Sequence, residues 1–257
     1  MDTNGKKSNS LATRIKEFYE DRTKQFLNRR TITIIRLDGK GFSKFTKSLN
    51  KPFDDDFSDD MDETAKFLCE NIQGAKFAYT QSDEISIVLT DFDNLETSAW
   101  FDYNVQKMTS ISASLATAKF NQLRANRLSN HAYIDIDDFN DMKLAMFDSR
   151  VFQVPSVDEM VNVMIWRQQD CTRNSISMAC DANFSHSATN GKSGSEKQEM
   201  LFTEKGINWN DYKTKYKRGS VIKKVQIDVN GAIRNKWVID NETPIFTQDK
   251  EYLQTLI

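Results

Sequence analysis

The chain is short of the residues that build covalent or zinc-held frameworks, with 3 cysteines and 2 histidines in 257 residues. Cys69, Cys171 and Cys180 form no C-x-x-C pair and are odd in number. With only His131 and His186 beside them, they support neither a disulfide scaffold nor a zinc site, and a reducing compartment follows. No apolar run approaches the roughly 20 residues that a membrane helix needs. Residues 1–10 are polar and carry Lys6 and Lys7 with no apolar stretch behind them. That pattern is neither a secretory signal nor a membrane anchor and points to the cytosol, with an organellar address left open by so short a tail. An excess of one charge is missing too: 35 basic residues face 37 acidic ones, a net charge of −2. No global field draws such a chain to nucleic acid, so any such contact must come from a local patch.

What the chain does have is two carboxylate stations, Arg36-Leu37-Asp38-Gly39-Lys40-Gly41-Phe42 and Gln81-Ser82-Asp83-Glu84. Each adjoins an apolar run of strand length, residues 31–37 before the first and 85–89 after the second, so the acids lie at strand edges. Hard oxygen ligands from neighbouring strands suit Mg²⁺ bridged by substrate phosphates. Either segment alone also reads as an ordinary turn. Arg36, Lys40, Lys44 and Lys51, with the small Ser82, favour a polyanion with a metal over a plain turn.

At this length the chain can bury a substantial core. Residues 11–27 have helical spacing, with Leu11, Ile15, Phe18 and Tyr19 on one face. Phe42, Phe45 and Leu49 line a short helix. Residues 54–63 hold seven acids and no base, which reads as a solvated helix start favoured by the helix dipole. It leads into the stripe Met61, Ala65, Leu68, Cys69 and Ile72, which ends at Gly74. Residues 77–79 and 85–89 read as a hairpin, 95–121 as a long Ala- and Ser-rich helix, and 143–154 as strand. The order β, α, β, β, α, β predicts an α+β fold, a split βαβ (ferredoxin-like) antiparallel sheet with helices on one face, and it sets the first strand beside the hairpin so that the two stations converge. Beyond Pro155 we expect a helix over 157–182, a flexible loop over 183–197, a helix over 196–205 and a small terminal hairpin turning at Asn230-Gly231. The domain expectation is one α+β unit carrying both stations, with the N-terminal helix, over 1–155 and a helical, basic extension over 156–257 packed on it. Residues 205–224 hold seven bases against one acid, with Trp209, Tyr212 and Tyr216 interleaved. That composition suits RNA by phosphate contact and stacking, and suits a solvated face about as well.

Five segments together carry a resemblance: Arg36 through Phe45; Lys51-Pro52; Tyr79-Thr80-Gln81-Ser82-Asp83-Glu84-Ile85-Ser86; Phe147-Asp148-Ser149-Arg150-Val151; and Trp166-Arg167-Gln168-Gln169-Asp170. Their order and spacing resemble the tRNA-His guanylyltransferase superfamily, whose members add nucleotides to RNA 5′ ends on a polymerase-like palm. Five motifs in register are far more specific than any one. The resemblance implies that Asp38, Asp83 and the Gly39 carbonyl hold two Mg²⁺ ions, with Glu84 in close support. It implies catalytic roles in activation and triphosphate handling for Arg36, Lys107 and Arg150. Nucleotide contacts are implied for Lys40, Gly41, Phe42, Ser43, Lys51, Asp54 and Ser82. RNA contacts are expected of Arg167, Arg173, Asn174, Lys215, Lys217 and Arg218. It also implies ATP, GTP and other nucleoside triphosphates as partners, and a homotetramer, while the want of a membrane-length apolar run leads us to expect no membrane association.

One departure carries information. Eukaryotic histidine-tRNA guanylyltransferases continue with His-Ile-Asn-Asn-Leu-Tyr-Asn, where this chain has Thr172-Arg173-Asn174-Ser175-Ile176-Ser177-Met178 after Cys171. The later Asn that helps to hold triphosphate is replaced by Met178. The Arg-Asn-Ser version resembles guanylyltransferase-like proteins, which repair tRNA with an incomplete 5′ end by templated addition. Three readings stand against this one: non-templated guanylate addition to tRNA-His, a nucleotide cyclase, and a non-catalytic RNA-binding homologue.

Overall fold

The computed structural model describes residues 10–129 and 143–257; the polar tail before Ser10 lies outside them. The first strand, β1 (Ile32–Gly39), is apolar on both sides, because each face of its sheet is covered. Ile35 and Leu37 point into one core, and Ile32 and Ile34 into another. Past Gly39 the chain enters the short helix α2 (Phe42–Phe45) and then α3 (Asp55–Asn71), which opens where the Asp54 carboxylate accepts from the Phe57 N–H. Gly74 then turns with φ +83, where a Cβ would run into the Thr90 carbonyl oxygen.

The hairpin β2 (Ala75–Gln81) and β3 (Glu84–Leu89), the helix α4 (Val105–Ser129) and β4 (Phe147–Val154) complete the unit. Every strand pair is antiparallel, and the order β4-β1-β3-β2 is the split βαβ arrangement, with β1 beside β3 as expected. Helices α3 and α4 cover one face through Met61, Leu68 and Phe120. The opposite face is covered by α5 (Val157–Asp181), through Met160 and Met164, and by the C-terminal segment with α9 (Lys250–Gln254), through Phe246 and Leu253. The terminal hairpin, β5 (Ser220–Val229) and β6 (Ala232–Asp240), turns at Asn230-Gly231 with both φ positive, and β5 pairs with β2 from Phe77↔Lys223 to Thr80↔Ser220. It therefore extends the palm sheet to six strands.

Four local expectations differ from what forms. The first helix is α1 (Leu11–Ile15), followed by a π turn and a 3₁₀ turn to Thr23, and its apolar face is not packed: Phe18 and Tyr19 are exposed. The long helix starts at Val105 rather than near Leu95. Trp100 and Tyr103 are drawn into the core, φ is positive at Phe101, Asp102 and Tyr103, and Asn104 then accepts from the Lys107 N–H at 3.0 Å to begin α4. The expected loop 183–197 holds α6 (His186–Thr189) and the start of α7 (Gly194–Lys205), which is set by a capping box between Ser193 and Glu196. The acidic start of α3 is not simply solvated. Asp55 and Asp59 meet Lys213 and Lys215, each at 2.7 Å; Asp60 meets Arg127 at 2.7 Å and Arg124 at 3.3 Å; and Asp62 is buried. Among the described residues no helix is long and apolar enough to cross a membrane.

Candidate active site

The carboxylates gather where β1, β3 and β4 run side by side. Asp38 on β1 stands opposite Glu84 on β3 and Asp148 on β4, and one row back Arg36 stands opposite Ser86 and Arg150. Directly opposed residues share a face, so these six side chains continue the face that is apolar further along, at Ile34, Val88 and Phe152, and that α5 covers. Asp83 sits at the β2–β3 turn, held beside the first station by a bond from the Gly39 N–H to the Asp83 carbonyl at 3.1 Å. The stations therefore converge.

Local sequence makes this possible at two glycines. A Cβ on Gly39 would overlap the buried Phe42 ring, and Gly41, with φ +70, lets the chain turn into α2. Ser82 takes φ +50 in the opposing turn, and its hydroxyl reaches Asp83 Oδ1 at 3.2 Å. Burial, and then the negative charge of Asp38, raise the Asp83 carboxyl above its ordinary value. Burial also raises Glu84, against the opposing pull of Arg167 and Arg36.

Beside Asp83 opens a cleft of about 520 Å³ walled by Ser43, Lys51, Ser82, Met178 and Asp181. A smaller cavity of about 70 Å³ adjoins it, sharing Ser82 and Met178. Its walls include Phe53, Phe57 and Met61, and it reaches Asp62 and Gln81. The Gln81 Oε1 is buried with no hydrogen-bond partner. Asp62, 3% exposed, is pushed up to about 7 by burial, with Lys215 opposing, and takes a 3.2 Å bond from the Ser220 hydroxyl.

The expected site residues divide by place. Asp38, Gly39, Asp83, Glu84, Arg36 and Arg150 stand at the strand ends, and Phe42, Ser43, Lys51 and Ser82 line the cleft. Lys40 and Gly41 occupy the turn above, and Asp54 caps α3 and also accepts from the Asn50 N–H at 3.1 Å. Lys107 is elsewhere. On α4, Thr117 and Asn121, in the middle of the helix, bond the Phe147 and Ala145 backbone near the carboxylates, while Lys107 is in the first turn, its ammonium 5.9 Å from the Phe101 ring.

Of the residues expected at RNA, Arg173 and Asn174 are exposed on α5, bonded to Asp170 at 2.6 and 3.4 Å. Arg167 is instead 6% exposed, paired with Glu84 at 2.8 Å and Asp170 at 3.1 Å, so its guanidinium is engaged inside the protein. Lys215 is enclosed against Asp59, Lys217 bonds the Asn210 carbonyl and lies over Trp209, and the Arg218 carbonyl accepts from the Tyr79 hydroxyl at 2.9 Å. Sequence reasoning missed Asp148, Trp166, Asp62 and Gln81. Trp166 lies under two guanidinium groups, Arg167 at 3.8 Å and Arg36 at 5.5 Å from its ring centroid. All but Asp62 are inside quoted motifs, but only the register and the helix packing bring them to the site.

A split βαβ palm with acids at adjacent strand ends, beside a cleft of nucleotide size, has the layout of a metal-assisted phosphoryl-transfer enzyme. The chain belongs to the tRNA-His guanylyltransferase family, nucleotidyltransferases acting on tRNA: the family model described as "Thg1: tRNAHis guanylyltransferase" matches residues 12–155. The tRNA(His) guanylyltransferase of Schizosaccharomyces pombe is 29% identical over 210 residues, 77% of this chain and 75% of that protein. A solved bacterial tRNA(His) guanylyltransferase (Thg1)-like protein in complex with ATP is 42% identical, with a TM-score of 0.84, covering 97% of this chain and 99% of that one. The same kind of protein in complex with GTP gives 41% and 0.81, over 96% and 99%. The tRNA(His) guanylyltransferase of Saccharomyces cerevisiae, at 24% identity and a TM-score of 0.65 over 86% of this chain and 96% of that one, shares the fold.

Proposed function

We propose that this chain extends the 5′ end of incomplete tRNA in the 3′-to-5′ direction, choosing each nucleotide by pairing with the opposing strand. The observation that carries the reading is the placing of Asp38 and Asp83 at adjoining strand ends beside a cleft that Lys51 and Ser82 also line. In support of templating, Thr172, exposed Arg173 and Ser175 stand where the histidine-specific enzymes have the His, the Ile and the second Asn of His-Ile-Asn-Asn, and only Asn174 is retained. The likeness to a bacterial guanylyltransferase-like protein also spans nearly the whole chain.

In this reading the 5′-phosphate oxygen of the RNA attacks the α-phosphorus of ATP, pyrophosphate leaves, and an adenylylated end forms. The 3′-hydroxyl of an incoming nucleoside triphosphate then attacks the RNA 5′ phosphorus, and AMP leaves. Lys51 and Ser82 border the triphosphate, and Arg36 and Arg150 offset charge at the reacting phosphate. The apolar walls of the adjoining cavity suit a base, and the free Gln81 acceptor suits a donor on its edge.

The donor set fits Mg²⁺. Asp38, Asp83 and the Gly39 carbonyl are hard oxygen ligands, and a cation would relieve the like-charge pressure that raises Asp83. Among the described residues no group of three or more His, Cys, Asp or Glu is arranged to hold a metal, so phosphate and water would complete the coordination. Two such ions, when bound, stabilise attacking and leaving oxygens. A homotetramer belongs to the same reading, and is checked by light scattering. In it, Lys107, which lies in the first turn of α4 over Phe101, serves the activation step from another subunit.

The deciding experiment supplies purified protein with tRNAs lacking their first nucleotide and carrying each of the four bases opposite the gap. The incorporated triphosphate is expected to follow the opposing base. Guanylate incorporated opposite all four, or only on tRNA-His, replaces this reading with non-templated guanylate addition.

A further inference from the structure

The basic, aromatic segment before β5 is fastened onto the loop and helix start that border the cleft. Lys213 Nζ lies 2.7 and 2.9 Å from the two Asp55 oxygens, Lys215 Nζ lies 2.7 Å from Asp59, and the Tyr216 hydroxyl donates to Asp55. The Tyr216 ring stacks on Phe53 with centroids 4.5 Å and planes 7° apart, and Tyr212 meets the same ring edge-on at 5.0 Å and 81°. These residues belong to, or directly precede, the single-turn helix α8 (Thr214–Arg218).

What they grip is the nucleotide side of the palm. Phe53 directly follows Lys51 and Pro52, which wall the cleft, and Phe53, Lys215 and Tyr216 wall the adjoining cavity. The 51–54 loop is bonded at its two ends: Lys51 Nζ reaches the Thr46 carbonyl at 2.9 Å, and the Asp54 carboxylate accepts from the Asn50 and Phe57 N–H groups at 3.1 and 2.8 Å. Between those ends the Phe53 ring is held by Tyr216 and Tyr212, and a cation displaced by about 1 Å from its phosphate loses much of its effect. The clamp comes from more than 150 residues further along the chain, as the Lys213–Asp55 separation of 158 shows.

We propose that Tyr216, acting through Phe53, is a positioning residue of the nucleotide cleft, holding the 51–54 loop where a triphosphate can span Lys51, Ser82 and Asp83. The inference rests on the cleft being the nucleotide site. The Tyr216 hydroxyl remains a donor at neutral pH, because burial and its bond to Asp55 raise its phenol further above its ordinary value.

The test compares Tyr216→Ala, which loses ring and hydroxyl, with Tyr216→Phe, which keeps the stack. It adds Lys213→Ala and Phe53→Leu, which loosen the same clamp from an exposed ion pair and from the loop. Calorimetry gives the Kd for ATP with Mg²⁺ on the full chain. Steady-state addition to a truncated, 5′-monophosphorylated tRNA gives KM and kcat, and a thermal melt gives Tm. Tyr216→Ala is expected to raise Kd and KM for ATP about tenfold while kcat at saturating ATP stays within about twofold, and Tyr216→Phe to recover Kd to within about threefold. An unchanged Kd in Tyr216→Ala, whatever its Tm, or a fall in kcat at constant KM, overturns the proposal. Should Tyr216→Ala not fold, an unchanged Kd in both Phe53→Leu and Lys213→Ala overturns it instead. Wild-type protein that binds no ATP defeats the nucleotide-cleft reading and the clamp with it. Wild-type protein that binds ATP but adds nothing to RNA defeats only the RNA reading.

Discussion

Glu84 and Arg167 form a buried ion pair, 2.8 Å between Oε2 and Nη1, that ties the strand β3 to the covering helix α5. Both residues are less than a tenth exposed, and the guanidinium also rests on Trp166. Removing one partner strands a charge in a poorly solvated place. Arg167→Met is therefore expected to cost on the order of 3–5 kcal/mol of stability by urea unfolding. The double variant with Glu84→Gln is expected to cost less than the sum of the two single changes. Strict additivity would show that the two groups do not act as a pair.

Asp38→Asn and Asp83→Asn are each expected to reduce nucleotide addition by at least about 10²-fold while leaving Tm near that of the wild type. Neither acid supports an apolar core, and the charge of Asp38 is one cause of the raised Asp83 carboxyl. Asp38→Asn should consequently lower the Asp83 titration, read by carboxyl ¹³C NMR. A titration that does not move would show that burial alone sets it.

Gly39→Ala places a methyl group against the Phe42 ring. That ring has little room to yield, packed among Phe45, Phe57, Phe120 and Phe147 at centroid distances from 5.1 to 6.0 Å. A loss of about 1–3 kcal/mol is expected by denaturant titration, with activity falling further because the Gly39–Asp83 backbone bond shifts with it. Wild-type stability together with wild-type activity would mean that the turn relaxes freely.

Asp62 gives the stability a pH dependence. Its folded carboxyl titrates near 7 against an ordinary 3.8, so between those values the folded chain keeps a proton that the unfolded chain has released. Stability from this group is present below about pH 4, falls as pH rises through the window, and is lost above about 7. Asp62→Asn keeps a neutral side chain throughout. Its advantage over the wild type is expected to grow from near zero at pH 4 to a few kcal/mol at pH 8, measured by urea unfolding across that range. A constant difference between the two proteins would show that Asp62 does not titrate there.

The sequence by itself determined the strands, the two carboxylate stations and their convergence. β-branched runs, glycine turns and an acid next to each strand are local signals, and the element order left β1 a place beside β3. It also carried the family, through motifs whose spacing chance does not reproduce. Only the tertiary structure decided what the charges do. Lys215 and Arg167 read as cations for RNA, yet each meets an acid distant in sequence, Asp59 or Glu84, and is enclosed there. The start of α4 was equally illegible, because the packing of Trp100 and Tyr103 into the core overrides the helical pattern before it. A charged side chain shows its sign in the sequence, but its partner is set by which distant segment the folded backbone brings within about 3 Å of it.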